Sequence, residues 1–280
     1  MIRIKVIRAS HLAIGLAIAA LVIAAALIFL NWASQRDPSG RTTAAQVAAV
    51  SVSSEMEACL AAPVFISDVP SKDKTILIYH THTHEAYAQS PDDPYEEVSA
   101  FRTMDGRHSV IRVGEALAEN LRAMGYTVVH DTADYEQNDI ATAYERSLAA
   151  LQSHREPFDL YIDLHRDAYT GQHTASEQED VSCAQVMFVV GTGESFAEKP
   201  DYEANLAFAR LATGAMNRRM SGSTRPVLTT DQRYNQHVGC PSVLIEVGHH
   251  ENTLAEALQA VEVLAYALDE AMSIAMQNYD

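Results

Sequence analysis

Residues 112–131 read RVGEALAENLRAMGYTVVHD, and their period changes in the middle. Val113, Ala116, Leu117 and Leu121 recur at the three- and four-residue spacing of one helix face. Gly125 suits a helix C-cap, and the aromatic and β-branched run Tyr126–Val129 then reads as a strand. A helix that passes straight into a strand is half of a βαβ unit. Working outward, the alternation continues on both sides. TILIYH (75–80) is a strand before it. After it come a helix over about 138–152 and the strands FDLYIDLH (158–165) and AQVMFVVG (184–191). A long helix at 202–220, the strand PSVLIEVG (241–248) and a closing helix at 253–276 complete the pattern. This predicts an α/β fold, a mostly parallel sheet of about five to six strands with helices on both faces. In such sheets ligands bind beyond the carboxyl ends of the strands.

The first seventy residues belong to a different class. Leu12 to Leu30 is a run of 19 residues without a charge, long enough to span about 30 Å of hydrocarbon at about 1.5 Å per residue. Arg3, Lys5 and Arg8 precede it, and no acid occurs before Asp37. The expectation is a cytoplasmic tail (1–11), one transmembrane helix (12–32), a linker (33–73) rich in Ala, Ser and Val, and a catalytic domain (74–280) outside a cell membrane. A cleaved signal peptide would have a shorter apolar core and a small-residue cleavage site. Beyond residue 32 there are 17 Lys and Arg against 37 Asp and Glu, a balance of −20. That excludes nucleic acid as a natural partner, and anionic lipid as a partner of any broad basic face. Of Cys59, Cys183 and Cys240, the last two are the better placed for a disulfide, each just before an apolar run.

Three strand ends carry groups suited to metal chemistry. The first runs into HTHTHE, giving His80, His82, His84 and Glu85; the third ends in DLHRD, giving Asp163, His165, Arg166 and Asp167; the fifth carries Glu246 in LIEVGHHE. A catalytic zinc commonly takes three protein ligands, often two His and one Glu, and leaves one position open. His82 and Glu85 form an HxxE pair where the strand turns into a loop, and His165 can supply the third ligand. His80 is an alternative ligand or a partner behind the ligands, while His84 reads equally as a solvated loop residue. Glu246, among Val243, Leu244, Ile245 and Val247, is the candidate general base, since a buried carboxylate needs a reason to be there. Arg166 is a candidate clamp for a carboxylate or an oxyanion. His108 is a spare ligand, and Tyr87 and Tyr234 could line the site. Neither His84-Glu85 nor His250-Glu251 extends to HExxH, and no GxSxG or phosphate loop occurs.

Together ILIYHTHTHE, YIDLHRDA, QVMFVVGT and RYNQHVGCPSVLIEVGHHENT resemble, in order, the stage II sporulation protein P family, over roughly residues 74–275. The resemblance implies a membrane-anchored, zinc-dependent N-acetylmuramoyl-L-alanine amidase that acts on peptidoglycan, with endopeptidase activity also attributed to the family. It implies zinc ligands from the HTHTHE segment and His165, with Glu246 as catalytic glutamate. It also implies work beside a lytic transglycosylase and a membrane scaffold during engulfment in sporulation. Related amidases place a ligand Glu near the start of the first helix, whereas DGRHSVIRVGEAL has none before Glu115, which leaves Glu85. Two other readings use the same residues: a carboxypeptidase- or endopeptidase-like zinc enzyme cutting cross-links, and a non-catalytic wall-binding scaffold.

Overall fold

A computed structural model describes residues 71–137, 139–168, 175–178 and 181–277. The tail, the proposed membrane segment and the linker up to residue 70 lie outside the described residues. Among the described residues no helix is long and apolar enough to cross a membrane.

Six strands form one sheet in the order β2-β1-β3-β8-β6-β7. They are β1 (Thr75–Tyr79), β2 (Thr127–His130), β3 (Leu160–Asp167), β6 (Val186–Gly191), β7 (Leu228–Thr230) and β8 (Ser242–His249). Four helices cover it: α1 (Val110–Ala123), α2 (Ala143–Ser153), α3 (Tyr202–Arg219) and α4 (Leu254–Gln277). The Ser109 side chain caps α1 by accepting from Ile111 N, and Gly125 follows its end at φ 96, a conformation that glycine adopts without strain.

The sheet is mixed. β1, β2, β3 and β8 are parallel neighbours, but β6 runs antiparallel to β8 and carries the short parallel β7 at the edge. A parallel return needs a crossover, usually a helix. Between β3 and β6 the chain instead makes a two-stranded hairpin, β4 (Ala175–Gln178) with β5 (Val181–Ala184). That hairpin and β7 are the elements missing from the sequence reading. The expected Cys183–Cys240 disulfide is also not formed: both thiols are free, Cys183 buried and Cys240 exposed.

Crossover direction decides where the site lies. α1 carries the chain from β1 to β2, and α2 carries it back past β1 to β3 on the other side. The two helices therefore cover opposite faces. Ile76, Ile78, Leu160, Ile162, Leu164, Val243, Ile245 and Val247 pack with α1, α3 and α4 in the main core. Leu77, Tyr79 and Tyr161 face the other way, against Leu151 of α2. Because strand side chains alternate, Asp163 and His165 share that second face with Tyr161, and Glu246 shares it with Leu244.

Candidate functional site

β1 stops at Tyr79, so the alternation of HTHTHE does not continue. His80 turns toward α1 and is fully buried. Its Nδ1 lies 2.8 Å from Leu164 O and its Nε2 2.9 Å from His130 Nε2, so both ring nitrogens are occupied. A Cβ on Gly114 would sit 2.6 Å from the ring, which is why α1 carries glycine there. Burial, helped by His130, lowers the His80 pKa to about 3, and the ring is neutral. His80 is a packing residue on the helix side, which corrects its expected role as an alternative ligand.

The next residues form a turn on the opposite face. Thr81 N and Oγ1 donate to the two oxygens of Asp163 at 2.8 and 2.7 Å. Glu85 N donates to His82 O at 3.3 Å, which closes the turn and brings the two ends of HxxE together. Arg166 N donates to Glu85 Oε2 at 3.0 Å, and the same oxygen lies 3.3 Å from His165 Nδ1. The His82 and His165 rings meet edge to face with centroids 5.4 Å apart. Glu246 pairs with His165 across the β3–β8 ladder. Thus His82, Glu85, His165 and Glu246 converge from three parallel strand ends.

The far ring nitrogens face carboxylates. His82 Nδ1 is 3.0 Å from Glu136 Oε1, which leaves Nε2 without a hydrogen-bond partner among the described residues. His165 Nε2 is 2.8 Å from Asp163 Oδ1, a charge contact whose angle is too poor for a hydrogen bond. Carboxylates behind histidines in this way fix the ring and raise its basicity as a metal ligand. Burial alone would lower the His165 pKa, but Asp163 and Glu85 together raise it well above its ordinary value. Burial alone would raise Glu85 and Asp163, yet both are held below the usual carboxylate range, chiefly by His165. The cluster therefore concentrates positive charge between two carboxylates, a place a divalent cation fits. Among the described residues no three such side chains stand in ready-formed coordination geometry.

Glu246 differs. It is partly exposed, but its Oε2 is buried and has no hydrogen-bond partner among the described residues. Burial pushes its pKa up to about 8; Glu85 and Asp167 add to the rise, and His165 and Arg225 oppose it. A carboxyl group so poised near neutrality, with an oxygen free, suits proton transfer.

Other expected residues lie elsewhere. Arg166 donates from Nε to Ala86 O at 2.8 Å and from Nη2 to Phe101 O at 2.7 Å. It fastens the loop that carries Glu85, which corrects the expected clamp on the reacting group. His84 faces Asp134 at 3.2 Å and Glu136 at 3.3 Å, so it is paired rather than solvated. His108 lies between Asp93 and Asp105, away from the cluster. Tyr87 is fully buried and donates to Val247 O.

The sequence reading missed Glu136. Its buried carboxylate accepts from His82, from His84 N at 2.8 Å and from Arg102. Burial would raise its pKa, but these partners bring it down to about 2. The available signal was its place in HDTADYE, just past the second strand.

The chain matches the family described as stage II sporulation protein P (SpoIIP) over residues 33–269. No curated protein matches it in sequence. Among solved structures it is similar to the CwlD amidase from Clostridioides difficile, determined in complex with the GerS lipoprotein, with a TM-score of 0.48 and 15% identity over 74% of this chain and 100% of that one. It is also similar to the catalytic domain of the CD27L endolysin targeting Clostridia difficile, with a TM-score of 0.47 and 14% identity over 72% and 97% of the two chains. For the N-acetylmuramoyl-L-alanine amidase AmiC2 of Nostoc punctiforme the TM-score is 0.43 and the identity 12%, over 74% and 99%.

Proposed function

The chain belongs to the stage II sporulation protein P family, and on that premise we propose that it is a membrane-anchored, zinc-dependent peptidoglycan hydrolase. It cleaves the amide between N-acetylmuramic acid and the L-alanine of the stem peptide during wall remodelling in sporulation. One observation carries this reading. His82, Glu85 and His165 face one another with Glu136 and Asp163 behind the histidines, and Glu246, with its unpartnered oxygen, is their neighbour across the ladder.

In this reading His82, through the Nε2 that Glu136 leaves free, His165 and Glu85 would hold the zinc. Bound there, zinc would polarise the scissile carbonyl and acidify a water. Glu246 takes the proton from the attacking water as its oxygen bonds to the carbonyl carbon. It then gives that proton to the departing nitrogen of L-alanine as the C–N bond breaks. Arg166 and Thr81 act indirectly, by fixing the turn that presents His82 and Glu85. The run from Leu12 to Leu30 anchors the enzyme with its domain outside the membrane, and a lytic transglycosylase and a membrane scaffold are its proposed partners.

The test is digestion of purified sacculi by the zinc-loaded full-length protein, with mass spectrometry of the new termini. The expected products are stem peptides with a free L-alanine N-terminus, and Glu246→Gln should lower the rate by about 10²–10⁴-fold. New termini within cross-links instead would make it an endopeptidase. No release by the wild type, with wall binding retained, would leave a scaffold.

A further inference from the structure

A groove of 360 Å³ opens beside this cluster. Tyr144, Leu148, Phe196, Arg233 and Tyr234 line it. Tyr144 connects it to the cluster: its ring centroid is 5.6 Å from that of His82 and 6.0 Å from that of Tyr234. Those two steps put Tyr234 within about 11.6 Å of His82.

The far wall is held rigidly. Tyr234 and Asn235 both lie in the left-handed region, at φ 47 and φ 56, which non-glycine residues seldom occupy unless their surroundings fix them. Here the surroundings do so. The buried Asn235 donates to Tyr144 O at 2.8 Å and to Ser147 Oγ at 3.1 Å on α2. The buried Gln236 accepts from Gly191 N and donates to Val189 O, each at 2.9 Å. Gly191 allows this approach, since a Cβ there would lie 2.2 Å from Gln232 O. Backbone strain anchored on both sides, beside a reacting centre, is the pattern of a built binding wall.

Arg233 indicates what binds. Its guanidinium carbon lies 4.8 Å from the Phe196 ring centroid, and its one hydrogen bond among the described residues is a long one, 3.4 Å, to Glu198 O. The other arginines near the cluster are committed: Arg102 to Glu136, Arg146 to Tyr135 O and Asp139 O, Arg166 to loop carbonyls, and Arg225 to Asp167. Arg233 is the one cation lining the groove, and the acid there, Glu145, is exposed to screening water. On the two sides of the scissile amide, the glycan is uncharged and the peptide carries carboxylates.

We infer that this groove is the stem-peptide subsite, with Tyr144, Tyr234 and Phe196 walling the chain and Arg233 pairing with a carboxylate on the second peptide residue. Two extended residues span about 7 Å, which carries the chain past Tyr144, 5.6 Å from His82, into the groove. The inference rests on the proposed reaction for the identity of the ligand, and its test separates the two. The probes are N-acetylmuramoyl-L-alanyl-D-glutamate and its D-isoglutamine counterpart, alike in shape and different in that one carboxylate. Turnover is measured with the zinc-loaded full-length protein, and binding by calorimetry with Glu246→Gln. The wild type should favour the acid by about tenfold or more in kcat/KM, and Glu246→Gln should show the same preference in Kd. Arg233→Gln should bring both ratios to about one, and Arg233→Lys, which keeps the charge without the planar fork, should retain part of the preference. Equal handling of the two probes by the wild type, or a preference that survives Arg233→Gln, overturns the subsite even if both probes are cleaved. Acid-selective binding without cleavage overturns the reaction and keeps the subsite.

Discussion

The two faces of the sheet use the same strands for different ends. On the α1 face β1, β3 and β8 send an apolar set into the main core, Ile76 and Ile78 beside Leu160, Ile162, Leu164, Val243, Ile245 and Val247. On the α2 face the same strands begin apolar, with Leu77, Tyr161 and Leu244, and end in Asp163, His165 and Glu246. One face is a dry foundation and the other changes character toward the carboxyl ends. Period-two alternation keeps the two apart, and a slip of one residue would bury the charged set in the core. The two histidines of HTH show the same division: His80 packs on the α1 side with His130, and His82 stands on the α2 side with His165.

Adjacent residues of β3 give the sharpest way to break this comparison. Ile162 is fully buried on the foundation side. Ile162→Ala should cost about 2–5 kcal/mol of stability in urea denaturation, by lost transfer energy plus a cavity. Zinc affinity of the folded fraction should stay within about twofold, since no contact to the cluster is removed. A matched loss of zinc affinity would mean that the two faces are coupled.

The foundation was legible because its signals are local. Long apolar runs, a glycine after α1 and a helix period over 112–125 each need only a short window. The HxxE pairing was readable for the same reason: one turn, closed by Glu85 N to His82 O, brings its ends together. The failures have a common physical form. Histidine at every second position of HTHTHE would put His80, His82 and His84 on one face of a continuing strand, but β1 ends at Tyr79, and the turn after it breaks the period. β7 has three residues, too few to carry a pattern. The antiparallel run of β6 depends on the hairpin before it, which lies in a polar stretch. Glu136 and Arg166 gain their roles only when distant loops meet, Glu136 at His82 and Arg102, Arg166 at Phe101.

A smaller effect sharpens the α2 side. Glu136→Gln keeps the shape and removes the charge that faces His82 Nδ1 and Arg102. Zinc affinity, measured by competition with a chromophoric chelator, should fall about 10–100-fold, while the thermal midpoint of the metal-free protein moves far less. Unchanged zinc affinity would show that Glu136 only ties the loop together.

The smallest effect tests His80 as a foundation residue. Its ordinary pKa of 6.5 falls to about 3 because the charged ring is disfavoured by burial and by His130. Between those values the unfolded chain takes up a proton that the folded chain does not, so acidification removes stability. The loss begins as pH falls below 6.5 and is complete near 3. At about 1.4 kcal/mol per unit on the full slope, the step from pH 6.5 to 5.5 should remove about 1 kcal/mol. Glu246 works in the opposite direction over part of this range, since its raised pKa makes the folded chain the better proton binder. Urea denaturation of the wild type alone would therefore mix the two signs. Comparison with His80→Gln, in chelator so that the metal ligands contribute equally to both proteins, isolates the histidine. The variant should be less stable at pH 6.5 and lose about 1 kcal/mol less than the wild type on going to pH 5.5. If the two slopes agree, His80 is protonated in the fold, and its contact with His130 cannot be the neutral hydrogen bond that seats it against Gly114.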